Sequence, residues 1–186
     1  MTNPFRNEKL PTMKKQILII ACLLAAVFTV RAQGVIRIGI IGLDTSHSTA
    51  FTELLNGTSD DPLVREFEVV AAYPYGSKAI RSSRDRIPGY IETVKKFAEL
   101  LDKVDCVLLE TNDGRLHLGQ AVEVFRSGKI CYIDKPLGAT LGEAIAIYEM
   151  AERYGASVFT SSALRYSPQN AALRRGDFGK ILGADC

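Results

Sequence analysis

The segment GIIGLDTSHS, from Gly39 to Ser48, joins a strand-like apolar run to the start of a helix. A glycine-rich turn at such a place binds the phosphates of a dinucleotide, because free N–H groups at a helix N-terminus attract anions. Gly42 supplies the first glycine of that turn, but Asp44 and His47 stand where further glycines belong. A carboxylate about 4 Å from a phosphate oxygen costs on the order of 4 kcal/mol at an effective dielectric of about 20. Phosphate binding is therefore weakened unless Asp44 turns away.

The residues after Gly42 have a second interpretation, which is purely structural. Asp44, Thr45 or Ser46 can cap the helix by accepting a backbone N–H. The hydroxyls of Thr45 and Ser46 can equally donate to a phosphate. The sequence-based assignment to cofactor binding is Gly42, Asp44, Thr45, Ser46 and His47.

The second strand-like run, FEVVAA, ends without the acid that binds the ribose hydroxyls of NAD. Ser77, Lys78 and Arg81 follow it instead, and they suit a 2′-phosphate. The alternative interpretation is a solvated basic loop. If a dinucleotide binds, the sequence favours NADP over NAD, with Ser77 and Lys78 as ligands.

Polar residues also follow the other strand-like runs, at 111–113, 134–135 and 161–162. The carboxyl ends of parallel strands meet at one edge of a sheet, where ligands bind. The two histidines, His47 and His117, fall just past strand ends, where histidine is equally a reasonable polar residue at a helix start. A metal-assisted lyase that uses His47, His117, Asp44 and Asp134 is a distant third alternative, but no ligand spacing supports it and no metal site is predicted.

The elements that would position these residues alternate along the chain. Short apolar runs separated by amphipathic segments predict βαβ units and a sheet covered on both faces, hence an α/β, doubly wound, mostly parallel fold. The predicted strands are 35–41, 67–72, 106–110, 130–133 and 157–162, and the predicted helices are 47–56, 90–101, 116–126 and 141–154. The 186 residues suffice for one globular domain, and a net charge of +2 gives no reason to expect nucleic acid.

Residues 13–32, MKKQILIIACLLAAVFTVRA, have the charged, apolar and small-residue order of a secretory signal peptide. We expect cleavage after Ala32 and export to the periplasm, with Met13 as an alternative start. The apolar run is shorter than the ~20 residues of a membrane span, so no stable span is expected after processing. The alternatives are an uncleaved anchor and a lipoprotein cleaved before Cys22. Cleavage after Ala32 also removes Cys22. The three cysteines that remain, Cys106, Cys131 and Cys186, show no disulfide pattern.

Two segments resemble the Gfo/Idh/MocA oxidoreductases, a family named after glucose–fructose oxidoreductase and inositol dehydrogenase. Residues 128–168, around Asp134-Lys135-Pro136, resemble the family's E-K-P region, and TNDGRLHLGQAVEVFRSGK resembles the N-x-x-H region before it. The GLDTSH loop is similar to a divergent branch. The resemblance covers about residues 36–185 and implies a Rossmann domain followed by a larger α/β domain that supplies most of the substrate pocket.

The resemblance also implies roles for particular residues. Lys135 matches a lysine near the nicotinamide and the substrate, where an ammonium stabilises developing negative charge. Asp134 replaces the usual glutamate, and Pro136 fixes the turn after an expected cis bond, so both are assigned to cofactor binding. Asn112 and His117 match the preceding motif, which makes His117 the second catalytic residue and Asn112 a cofactor ligand. Arg165 resembles an arginine near the cleft and is assigned to substrate, although an ion pair explains it equally well.

The family pattern further implies the domain organisation. After the signal peptide, which takes up 1–32, it gives a Rossmann-like domain at 33–176 and the start of a truncated second domain at 177–186. Oligomers are expected only with that second domain. The family's short third strand has no room here, because VKKF at 94–97 runs directly into AELLDKVD.

Two functions follow as expectations. The first is the cofactor-binding part of an exported NAD(P)-dependent oxidoreductase that acts on a sugar, polyol or related hydroxyl, inactive as this fragment alone. The alternative is a non-catalytic exported binding protein that keeps the Rossmann frame but has lost its dinucleotide. Asp44, His47 and the missing acid favour this alternative.

Overall fold

A six-stranded, fully parallel sheet forms the centre of the computed structural model, which describes residues 34–78 and 92–183. The strand order is β3-β2-β1-β4-β5-β6. The strands are β1 (Ile36–Ile41), β2 (Phe67–Tyr73), β3 (Glu92–Thr93), β4 (Cys106–Leu109), β5 (Ile130–Ile133) and β6 (Val158–Thr160). The predicted doubly wound α/β fold is confirmed. The predicted signal peptide at 1–32 lies outside the described residues.

In the described part of the chain, five α-helices connect or follow the strands: α1 (Ser46–Asn56), α2 (Phe97–Lys103), α3 (His117–Arg126), α4 (Leu141–Tyr154) and α5 (Pro168–Arg175). The larger core cluster joins strand residues such as Leu109 and Ile133 to Leu100 of α2, Phe125 of α3 and Ile147 of α4. A smaller cluster contains Ile38, Ile40, Leu43, Val69 and Ala72, with Leu55 of α1 packed against it. Within the described residues, no helix is both long and apolar enough to span a membrane.

The region before α2 differs from the sequence-based expectation. Residues 90–101 were expected to be helical, with no room for a third strand, but Glu92–Thr93 forms β3 and α2 begins at Phe97. The N–H of Val94 bonds to the carbonyl of Ala72 at 2.9 Å, and Val94 is buried. Val94, Phe97 and Leu101 are spaced as on one helical face, so periodicity alone could not separate a short strand from the helix that follows it.

An open groove of about 820 Å³ lies beside α1. It is lined mainly by apolar side chains, among them Phe51 and Leu54 of α1, Leu108 of β4, Tyr132 of β5 and Phe159 of β6. Leu54 and Phe159 are each more than half exposed. Among the described elements, α1 therefore covers only part of this side of the sheet.

Candidate functional site

The predicted site residues lie at the carboxyl ends of β1, β4 and β5, where the strand order reverses between β1 and β4. The hydrogen-bond ladder continues one residue beyond two of these strands. The N–H of Glu110 bonds to the carbonyl of Ile41 at 2.8 Å, and the N–H of Asp134 bonds to that of Leu109 at 2.9 Å. The backbone thus fixes where both acids project from the sheet edge.

Gly42 makes the tight turn after β1. Its φ is +83°, and an added Cβ would lie 2.7 Å from Cα of Thr111. Its N–H bonds to the carbonyl of Tyr73 at 2.9 Å, which ties the turn to the end of β2. Both the dihedral angle and the close backbone approach require glycine at this position.

Asp44 is buried between the strand ends and is directed away from solvent. Its Oδ1 accepts the N–H of Asn112 at 3.1 Å, and a Cβ on Gly76 would lie only 2.5 Å from its Oδ2. The carboxylate therefore binds the loop after β4 and packs against the loop after β2. It does not cap α1.

The start of α1 is not capped by a side chain. Thr45 is the N-cap residue, but its hydroxyl accepts no backbone N–H and is buried without a hydrogen-bond partner among the described residues. Ser46 is exposed, and the hydroxyl of Ser48 donates to the carbonyl of Thr45 at 2.8 Å. Free N–H groups in the first turn of a helix attract anions, so this end of α1 keeps that capacity.

Two acids and a histidine converge beside the start of α1. Nδ1 of His47 lies 2.7 Å from Oδ2 of Asp134, and donor atoms of His47, Glu110 and Asp134 all lie within 4.8 Å of one another. Burial, and then the charge of Asp134, raise the pKa of Glu110 to about 8, whereas the charge of Lys135 lowers it. Glu110 is not among the site residues predicted from the sequence, although an acid that ends the apolar run CVLLE was a usable signal.

Lys135 follows Asp134 and is exposed, and its bond to Pro136 is cis as expected. The positive charge of Lys135 lowers the pKa of Glu110, so its ammonium lies within electrostatic reach of that acid. The hydroxyl of Tyr132 donates to the carbonyl of Ser161 at 3.0 Å and lies 3.5 Å from Oδ1 of Asp134. Burial, together with Asp134, raises the pKa of Tyr132, so it stays a protonated donor.

His117 is fully buried at the start of α3. Its Nε2 lies 2.6 Å from the carbonyl of Thr111 and its Nδ1 lies 3.2 Å from that of Leu137. Both ring nitrogens thus contact backbone carbonyls of the loops after β4 and β5. This geometry favours a positioning role over the catalytic role expected from the sequence, while Asn112 beside it is exposed.

The remaining predicted residues that the structure describes follow β2, as Ser77 and Lys78, and β6, as Arg165. Ser77 is buried and hydrogen-bonds Asp113, whose pKa is held well below its usual range by Arg115 first and Ser77 second. Lys78 and Arg165 are exposed, and no ion pair of Arg165 occurs among the described residues. Arg81 lies outside the described residues.

The chain belongs to the Gfo/Idh/MocA family. The family's N-terminal region, described as "Oxidoreductase family, NAD-binding Rossmann fold", matches residues 36–162. The resemblance that the Asp134-Lys135-Pro136 segment indicated is confirmed by this match. No curated protein sequence matches the chain.

Solved structures show the same fold at low sequence identity. WlbA dehydrogenase from Bordetella pertussis, in complex with NADH and UDP-GlcNAcA, is 20% identical over 79% of this chain and 44% of its own, with a TM-score of 0.59. Myo-inositol 2-dehydrogenase from Lactobacillus plantarum is 19% identical over 79% and 43%, with a TM-score of 0.58. Biliverdin reductase from Synechocystis, in complex with biliverdin and NADP+, is 20% identical over 78% and 43%, with a TM-score of 0.59. This chain therefore spans less than half the length of these proteins.

Proposed function

We propose that this chain is the nicotinamide-dinucleotide-binding part of an oxidoreductase. The strand order β3-β2-β1-β4-β5-β6 carries the proposal, because dinucleotides bind across the crevice where this order reverses. The start of α1 lies at that crevice without a side-chain cap. Membership of an NAD-binding family supports the same function.

The residues at the crevice fit such a cofactor in part. Exposed Ser46 offers a hydroxyl donor beside the free N–H groups of α1, whereas the hydroxyl of Thr45, which has no partner among the described residues, is buried. The nicotinamide, when bound, supplies or accepts a hydride. Lys135 would then donate a hydrogen bond to the reacting hydroxyl of the substrate and stabilise the negative charge that develops there. Asp134 and Pro136 would hold Lys135 in place.

We further propose a sugar, polyol or related hydroxyl compound as the substrate. The support is by family and by fold, since relatives include a myo-inositol dehydrogenase and a dehydrogenase solved with UDP-GlcNAcA. Exposed Arg165 is the residue of this chain that we assign to substrate binding.

The second candidate is a binding protein of the same fold that has lost its dinucleotide. The observation that favours it is the buried carboxylate of Asp44 in the crevice, where it adds negative potential close to the start of α1. In addition, no acid follows β2 within residues 74–78, and Ser77 already hydrogen-bonds Asp113.

Calorimetric titration of the full chain with NADP and with NAD tests these alternatives. We expect micromolar binding of at least one nucleotide, and we expect Lys78→Ala to weaken NADP while leaving NAD unchanged. Lys95→Ala, which removes another exposed lysine, is the matched control. Absence of binding by a folded chain would favour the binding protein, and Lys135→Ala becomes the next variant if binding occurs.

Export is a separate proposal, based on the signal-like order of residues 13–32. Mass spectrometry of the protein recovered from the periplasm of an expressing bacterium should find Gln33 as its first residue. A cytoplasmic product that keeps residues 13–32 would contradict it.

A further inference from the structure

Three side chains with metal-binding chemistry meet at the sheet edge from distant parts of the chain. His47 belongs to the first turn of α1, Glu110 follows β4 and Asp134 follows β5. Their donor atoms lie within 4.8 Å of one another. The three positions are held by the backbone ladder at the ends of β4 and β5 and by the helix that starts after Gly42.

Glu110 supplies the decisive observation, because its carboxyl group is buried without the hydrogen bonds that such a group normally makes. The residue is fully buried, and neither Oε1 nor Oε2 has a hydrogen-bond partner among the described residues. Buried polar groups are normally hydrogen-bonded, and buried charges are normally paired or bound to metal. Asp134, the nearest acid, is itself almost fully buried and already contacts His47.

We propose that His47, Glu110 and Asp134 bind one divalent transition-metal ion. An imidazole nitrogen with two carboxylate oxygens suits Zn²⁺ and Mn²⁺, and three protein ligands leave a position open for water or a ligand atom. Metal–ligand bonds of about 2.0–2.2 Å place donor atoms roughly 3–3.5 Å apart. Because the donor atoms lie within 4.8 Å of one another, relative movements of up to about 1–2 Å among the three side chains close the site.

The site does not depend on the proposed dinucleotide, since its ligands are three side chains of this chain alone. The site could not be predicted from spacing, because the three residues come from separate strand ends with no short interval between them. Convergence at this edge follows from the strand order, in which β1, β4 and β5 are adjacent.

Titration calorimetry of the EDTA-stripped full chain with Zn²⁺ and with Mn²⁺, in the absence of nucleotide, tests the proposal. We expect one ion per chain, with affinity lowered at least about tenfold by Glu110→Gln, Asp134→Asn and His47→Gln. Glu123→Gln, on the exposed surface of α3, is the control and should bind as the unmodified chain does. Co²⁺ should also give visible absorption bands that change in His47→Gln.

The proposal is overturned if the folded chain takes up neither ion, or if all three variants bind as tightly as the control. His47 has a side chain 29% exposed, so His47→Gln is the variant that decides if the two buried-acid variants fail to fold. A chain that binds the metal ion but no nucleotide supports this proposal and not the proposed function. A chain that binds a nucleotide but no metal ion supports the proposed function and not this proposal.

Discussion

Nδ1 of His47 lies 2.7 Å from Oδ2 of Asp134, although 87 positions separate the two residues along the chain. The contact connects the first turn of α1 to the end of β5. Asp134 is buried, and its other oxygen, Oδ1, lies 3.5 Å from the hydroxyl of Tyr132. The contact with His47 is therefore the principal side-chain interaction that offsets the cost of burying the Asp134 carboxylate.

We expect this pair to be energetically coupled in the metal-free chain. A double-mutant cycle with His47→Gln and Asp134→Asn, followed by urea unfolding in EDTA, should give a coupling free energy of about 0.5–3 kcal/mol. A parallel cycle of His47→Gln with Glu123→Gln, on the far helix α3, should be additive within about 0.5 kcal/mol. Additivity in the first cycle would mean that the contact does not stabilise the fold.

Gly42→Ala should destabilise the chain strongly. The substitution places a Cβ at φ +83° and 2.7 Å from Cα of Thr111, so the turn after β1 must distort. We expect a loss on the order of 3 kcal/mol in the free energy of unfolding. Gly119→Ala, in α3 where nothing lies within 4 Å, is the matched control and should gain roughly 0.5–1 kcal/mol. Equal effects of the two substitutions would show that the turn is not constrained.

Asp105→Asn should reveal a stability contribution that depends on pH. Arg37 donates to both carboxylate oxygens of Asp105, at 3.1 and 2.8 Å, and these bonds lower its pKa from 3.8 to about 2. A depressed folded-state pKa stabilises the protein above the unfolded value, and this stability is lost as the pH falls from about 4 through 2.

The melting temperature of Asp105→Asn should accordingly lie below that of the unmodified chain at pH 7. The difference should shrink through this acidic window. Asp102→Asn, which replaces an exposed acid on α2, serves as the control. A difference that stays constant between pH 7 and pH 2 would contradict the assignment to the Asp105 charge.

The groove beside α1 should bind an apolar dye in the folded chain, because it exposes a contiguous apolar surface. Leu54→Glu and Phe159→Glu place charges in it and should each reduce the fluorescence of the dye ANS. Phe178→Glu replaces another exposed aromatic residue that does not line the groove, and should leave the signal unchanged. Equal signals in all three variants would place the dye elsewhere.

Local signals in the sequence predicted several elements with their correct bounds. The predicted segments 130–133 and 141–154 correspond to β5 and α4 as observed. Thr140 and Glu143 form a capping box at the start of α4, and Gly155 ends it in the left-handed conformation, so both termini are specified by adjacent residues. Where such signals are missing, as before α2, the sequence-based bounds were wrong.

The composition of the site was less predictable, because it depends on contacts between distant segments. The sequence placed Asp134 and His47 at strand ends, but it could not show that they touch or that Glu110 joins them. It also allowed Asp44 to cap α1, whereas the side chain reaches across to Asn112. Only the order of the strands decides which ends are neighbours.

His117 has a mechanical consequence for the whole sheet edge. Its ring nitrogens contact the carbonyls of Thr111 and Leu137, which belong to the loops that follow β4 and β5 respectively. The loops after β4 and β5 are therefore connected to each other through one buried side chain. We expect these two walls of the crevice to shift together rather than independently when a ligand binds.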